Sequence, residues 1–254
     1  MGETVPMTLA LVLALTVALG AALQRISGMG LGIAVAPVMS VLLGPVAGVT
    51  LSNVAAVVGA VLLAVVMRAD IDWRRFRALA PLLVVGSVLG AYVVRVVSPD
   101  VLNLVLGGCV LLAIGAALGL QRFLVVRGRA AVLATGTIAG FMNTTAGVAG
   151  PAMTAYGVAS RWGHRSLAAT LQPIFLTANL ASILTKAVMG ATPEPGVLPW
   201  WSWLLACAAV PVGIAVAAPL ARVVPLGVAR ALAISIASAG AALALARGLV
   251  GVIG

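Results

Sequence analysis

Charge is scarce in this chain. Of 254 residues only 8% are charged, and just 5 are Asp or Glu against 15 Lys or Arg. A soluble domain coats itself with about a quarter charged residues, so a soluble globule is excluded. Histidine and cysteine are nearly absent too, at 1 and 2 residues. Cys109 and Cys207 lie in apolar stretches without motif spacing, which argues for buried free thiols and against a disulfide or metal site. No Walker A motif is present, so ATP-driven transport would need another subunit, and no cofactor is expected. The N-terminus has no basic n-region, and Glu3 is its only charge. Its apolar run from Val5 reads as a retained helix, not a cleaved signal peptide.

What the chain does contain is apolar side chain, 63% by count. Runs long enough to cross a bilayer, roughly 20 residues each, recur along its length. In lipid every backbone N–H and C=O must be satisfied internally, so such runs are helices; they lack the alternation of barrel strands. Helices are expected at residues 5–23, 31–43, 47–67, 78–97, 101–120, 130–142, 151–160, 166–189, 200–220 and 229–250. The fold class expected is an all-α, polytopic helical membrane bundle. The net charge of +10 does not point to nucleic acid, because the basic residues sit in short loops, as topology signals do. The partners expected are the lipid bilayer and a small solute; a homo-oligomer is left open.

Two segments, 31–43 and 151–160, are too short to span comfortably. Each follows a run of small residues that interrupts the helix, at 25–32 and at 143–151. A shift of 119 residues (147 − 28) lays Gly28 on Gly147, Gly44 on Gly163 and Asn53 on Gln172. The order of elements repeats as well: long helix, break, short helix, then three long helices. This predicts two repeats, 1–120 and 130–254, joined by a cytoplasmic linker at 121–129.

Loop charges orient them. Arg68, Arg74, Arg75 and Arg77 place one loop inside. The corresponding loop 190–199 has no Lys or Arg, carries Glu194, and belongs outside. Arg122, Arg127 and Arg129 put the linker inside; Arg161 and Arg165, then Arg222 and Arg230, mark two further inside loops. The Gly44-Pro45 turn, which is uncharged, belongs outside. Equivalent loops thus fall on opposite sides, giving an inverted-topology repeat with both termini outside. Trp73, Trp162, Trp200, Trp201 and Trp203 suit an interfacial belt. Inverted repeats with one broken helix each describe many secondary transporters, whose substrate sits near the midplane between the broken elements.

At these breaks, QRISGMGLGIAVAP (24–37) and GFMNTTAGVAGPAMTAYG (140–157), the chain resembles the TauE/SafE family of sulfite exporters and organosulfur-anion permeases. That family opens each half with a Gly-rich hairpin, often T-G-x-G-G-P in the second; here Ala146 and Ala149 replace the usual Thr or Ser and Gly. The resemblance covers essentially the whole chain. It implies transport of a small anion such as sulfite, a sulfonate such as sulfoacetate, or a carboxylate, and a bacterial inner membrane.

Candidate substrate-binding residues follow. Arg25, with Ser27 beside it, stands one turn before the first break; its fork suits a sulfonate or carboxylate. Gly28, Gly30, Gly147 and Gly150 could expose N–H groups at helix starts, which attract anions. Asn53, Asn143, Thr144, Thr145 and Gln172 could face the same cavity. Against these stand topology charge for Arg25, close packing for the glycines and interhelical hydrogen bonding for the polar groups. Lys186 and Arg95, near external helix ends, are expected to snorkel to the interface, and His164 to be solvated. Ser182 and Lys186 share the i, i+4 spacing of a Ser–Lys dyad, but no oxyanion site accompanies them, so no enzyme is expected. All five acids, Glu3, Asp70, Asp72, Asp100 and Glu194, fall in loops or termini. No carboxylate is left mid-membrane to carry a proton or Na⁺, which favours potential-driven anion export by alternating access; an anion-selective channel is the alternative.

Overall fold

The computed structural model describes residues 7–27, 31–117, 128–221 and 223–253. All regular structure among them is helical: α1 (Met7–Ser27), α2 (Leu31–Leu43), α3 (Pro45–Val66), α4 (Trp73–Val96), α5 (Pro99–Ala117), α6 (Arg129–Ala146), α7 (Gly150–Ala159), α8 (His164–Met189), α9 (Trp200–Leu220) and α10 (Leu226–Ile253). Six stretches, in α1, α3, α4, α8, α9 and α10, are long and apolar enough to cross a membrane. The chain is therefore a multi-pass helical membrane protein. Large apolar side chains such as Leu15, Val85, Leu112 and Leu184 point outward, as a lipid-facing surface requires.

Every expected helix forms, but the breaks are narrower than the residue types imply. α1 continues through Arg25 to Ser27, and α6 continues through Asn143 to Ala146. The polar residues at these ends do not stop the helix, because Gln24 and Asn143 find partners on α8. Only residues 147–149 separate α6 from α7. The matching residues 28–30, with Gly28 and Gly30, lie outside the described residues, as do Glu3, Arg122, Arg127 and Arg222 and most of the expected linker.

Two four-helix clusters carry the core. In one, Leu13 and Val17 of α1 meet Leu31, Val35 and Met39 of α2, Leu51 and Ala55 of α3, and Ala206 and Val210 of α9. In the other, Ala139 of α6 meets Met153 of α7, Leu171 and Ile174 of α8, and Leu79 and Leu83 of α4. Each cluster borrows its fourth helix from the far part of the chain. The borrowed contacts are close because glycines face backbone: a Cβ on Gly213 of α9 would strike the Ala18 carbonyl of α1, and one on Gly140 of α6 the Leu83 carbonyl of α4. Small residues serve this purpose at membrane helix crossings. Between the clusters, Leu106 and Val110 of α5 pack with Ala237 and Ala241 of α10.

At one end of the molecule the arginine-rich loops meet. Asp70, in a 3-10 turn at Arg68–Asp70, accepts from Arg165 at 2.8 Å. Asp72 caps α4 by accepting from the Arg75 N–H at 3.0 Å, and its own N–H donates to Thr170 Oγ1 at 2.8 Å. Here one expectation is corrected. Trp162 is no interfacial anchor: it is 8% exposed, packed under the Arg75 guanidinium at 4.5 Å. Trp73 and Trp200 are exposed, as a belt requires. His164 is exposed at the start of α8, and both cysteines are free.

Candidate functional site

The starts of the two short helices face one cleft. It is a narrow, partly open cavity of about 30 Å³, against the roughly 10–15 Å³ that a single water needs, so it suits only a compact solute. Leu31, Gly32 and Ile33 of α2 line one side, and Val148, Ala149 and Gly150 at the start of α7 line the other. The first N–H groups of a helix find no partner within it, and the helix dipole adds partial positive charge there. Two such ends make the cleft electropositive without any ionised side chain. The rest of the wall is uncharged: amides of Gln24, Asn143 and Asn179, and apolar Ala56 and Phe175.

The second break touches the start of α2 directly. Gly147 adopts the left-handed conformation (φ 73°) and closes α6, its N–H donating to Asn143 O at 2.9 Å. A Cβ there would lie 2.6 Å from Ala36 Cβ, and a Cβ on Gly32 would strike the Gly147 carbonyl oxygen. Glycine is needed at both positions for α2 to seat against the break.

Two parallel amide relays hold the polar wall. Gln24 Nε2 donates to Gln172 Oε1 at 3.3 Å, and Gln172 Nε2 to Ala168 O at 3.1 Å. Asn143 Nδ2 donates to Asn179 Oδ1 at 3.0 Å, and Asn179 Nδ2 to Phe175 O at 2.7 Å. In each, an amide ending α1 or α6 is oriented by an amide on α8, which is anchored one turn back on its own helix. An amide carries two N–H donors, and each relay engages one donor of Gln24 and one of Asn143.

The sequence-expected residues divide accordingly. Asn143, Gly147 and Gly150 line the cleft, and Gln172 orients a residue that does. Thr144 is buried against Gly90 of α4, and Thr145 donates to Phe141 O at 2.9 Å; neither is among the lining residues. Asn53 donates to Ser182 Oγ at 2.6 Å, away from the cleft wall. Arg25 is partly exposed in the last turn of α1, one residue past Gln24. The Ser27 side chain, Gly28 and Gly30 lie outside what the structure describes.

Lys186 overturns an expectation. It does not snorkel: its side chain is 1% exposed, and Nζ donates to Thr50 Oγ1 of α3 at 3.3 Å. α3 packs along α8 there and covers it. Arg95, by contrast, is exposed. Residues that sequence reasoning missed are Gln24, Gly32 and Asn179. Gln24 had a signal, since 24 + 119 is 143 and the repeat shift lays it on Asn143. Asn179 lies seven residues from both Gln172 and Lys186, a stripe along one face of α8.

A multi-pass helical membrane protein with two helix starts and three amides buried around one cleft is the class these features define. The sequence profile of the sulfite exporter TauE/SafE family matches residues 12–245, and the chain belongs to that family. Searches of curated proteins and of solved structures found no match to it. The family is one of membrane exporters of sulfite and related anions, which accords with the likeness read at residues 24–37 and 140–157.

Proposed function

We propose that this chain is a secondary transporter that exports a compact oxyanion, sulfite or a small sulfonate, bound in the cleft between the starts of α2 and α7. The observation that carries this reading is the cleft itself: two helix N-termini and the amides of Gln24 and Asn143, with no charged side chain among the described residues of its wall. Such a site holds a desolvated anion through hydrogen bonds and dipoles, strongly enough to select it and weakly enough to release it. Arg25, partly exposed one residue from Gln24, acts as a collecting charge at the cytoplasmic mouth.

The two repeats are inverted in the membrane, with both termini outside and the chain in the inner membrane. Helix boundaries support the duplication under the same shift of 119: α1 and α6 end at 27 and 146, α2 and α7 start at 31 and 150, α3 and α8 start at 45 and 164. The exchanged helices support it too, since α9 packs on α1 as α4 packs on α6. The Asp70–Arg165 pair supports placing both arginine loops on one face. Rocking of one four-helix cluster against the other alternates access to the cleft.

Direction follows from charge. The described acids Asp70, Asp72, Asp100 and Glu194 all lie in loops or first turns, so no mid-span carboxylate carries a coupling cation. An anion leaving a negative interior gains roughly 2.3 kcal/mol per charge per 100 mV, which suffices for export. Sulfite flux from proteoliposomes at clamped potential tests the reading. Saturable efflux that speeds up with negative interior voltage is expected. Non-saturating conductance would identify a channel, and accumulation into a negative interior without an ion gradient would overturn export.

A further inference from the structure

Lys186 stands apart from the cleft and is unexplained by it. A buried ammonium costs several kcal/mol in a membrane interior, so its neighbours matter. The ion pairs among the described residues are Asp72–Arg75 and Asp70–Arg165; Lys186 is in neither. Lysine has three N–H donors, and Thr50 Oγ1 is the one acceptor it meets among the described residues. Thr50 in turn donates to Val46 O at 2.7 Å. One turn along each helix, Asn53 of α3 donates to Ser182 of α8. Two polar atoms here are buried and without a partner among the described residues, Asn53 Oδ1 and Ser52 Oγ.

This cluster neighbours the cleft at Gly147. Ser52 Oγ would lie 3.8 Å from a Cβ on Gly147, which lines the cleft. On α8, Asn179 of the cleft is followed by Ser182 and then Lys186, each one turn further. From Gln172 to Lys186 the polar face runs 14 residues, about 21 Å at 1.5 Å per residue. Each of its members reaches another helix: Gln172 to α1, Asn179 to α6, Ser182 and Lys186 to α3. On α8 these side chains form a polar stripe that runs past the cleft toward the helix end opposite Arg165.

We propose that Lys186, with Thr50, Ser52, Asn53 and Ser182, forms a second anion site, which receives the transported oxyanion from the cleft on its way out. It rests on the transporter reading above. The ammonium supplies the charge that the cleft lacks, and the Ser52 hydroxyl bridges the two sites. Asn53 Oδ1, an acceptor, suits an oxyanion that carries a proton or a water. Thr50 occupies the ammonium until the anion arrives, so the outward site is closed in this conformation.

The test uses full-length protein in proteoliposomes of known orientation, with radiolabelled sulfite exchange started from either face. Wild type is compared with Lys186→Gln and Lys186→Arg, each checked for a single monodisperse peak in detergent. For Lys186→Gln the KM on the outward face rises by about tenfold or more, the loss of one charged hydrogen bond, while the cytoplasmic-face KM stays close to wild type. Lys186→Arg keeps most of the outward affinity. Wild-type exchange with unchanged outward KM in Lys186→Gln overturns this inference and leaves the transporter reading intact. Equal loss on both faces also overturns it, assigning Lys186 to the central site or to folding. A wild type with no saturable sulfite exchange overturns both readings.

Discussion

Asn143 lines the cleft and also ties α6 to α8, with one N–H committed to Asn179. Asn143→Ala removes the donor to the anion and leaves Asn179 Oδ1 unpaired. A hydrogen bond to a charged ligand contributes about 1.5–3 kcal/mol, so the KM for sulfite efflux should rise roughly 10- to 100-fold. Asn143→Asp keeps the shape but puts a carboxylate where the anion sits, and its flux should fall below that of the alanine variant. Equal flux in the two variants would show that no anion approaches this position. At the opposite extreme is Asp70. Its partner Arg165 is 83% exposed, and exposed pairs contribute about 0–1 kcal/mol. Asp70→Asn should leave the melting temperature and flux close to wild type.

Residue identities were only partly readable beforehand. Asn143, Gly147 and Gly150 were visible because small and polar residues break an apolar pattern. Gln24 hid at the end of an uninterrupted run, and its meaning depends on Gln172, 148 positions away. Lys186 was misread because lysines near helix ends usually reach the interface. Nothing in a linear pattern says that α3 will lie over that turn of α8.

The helix breaks are the elements on which the account depends. Gly147 is held at φ 73° with Ala36 Cβ 2.6 Å from where its own Cβ would be. Gly147→Ala brings about 1–2 kcal/mol of left-handed strain in addition to that overlap. We expect a lowered melting temperature and loss of sulfite flux. Gly32→Ala is the sharper probe, because Gly32 lies inside α2 and alanine favours helix. Among the described residues, the collision with the Gly147 carbonyl is what penalises it. Loss of flux there, with helix content unchanged by circular dichroism, would tie transport to the seating of α2 against the second break. Wild-type flux would sever that tie. The helices themselves were legible because lipid leaves the backbone no alternative. Their ends were less so, because partners on other helices, not local residue type, decided where α1 and α6 stop.

For the whole molecule, topology is the claim to check. In a background with Cys109→Ala and Cys207→Ala, Glu194→Cys should react with an impermeant maleimide on intact cells. His164→Cys should react only after permeabilisation. Both native residues are exposed in the fold, so reactivity reports sidedness and not burial. Labelling of both positions from outside would break the inverted arrangement and the direction assigned to export. The repeated order of elements was readable in the sequence. The exchange of α4 and α9 between the two clusters was not, because it depends on glycine-to-backbone contacts between distant segments.

The central claim is that a compact anion binds between the starts of α2 and α7, and its position can be measured directly. Selenite has the shape and charge of sulfite, with a heavier centre. Crystals of the full-length protein soaked in selenite should show an anomalous selenium peak within hydrogen-bond reach of Gln24 and Asn143, beside Gly32 and Gly147, and the peak should vanish in Asn143→Asp. Selenium found only at Arg25 or elsewhere on the surface, with the cleft empty at saturating selenite, would contradict the account.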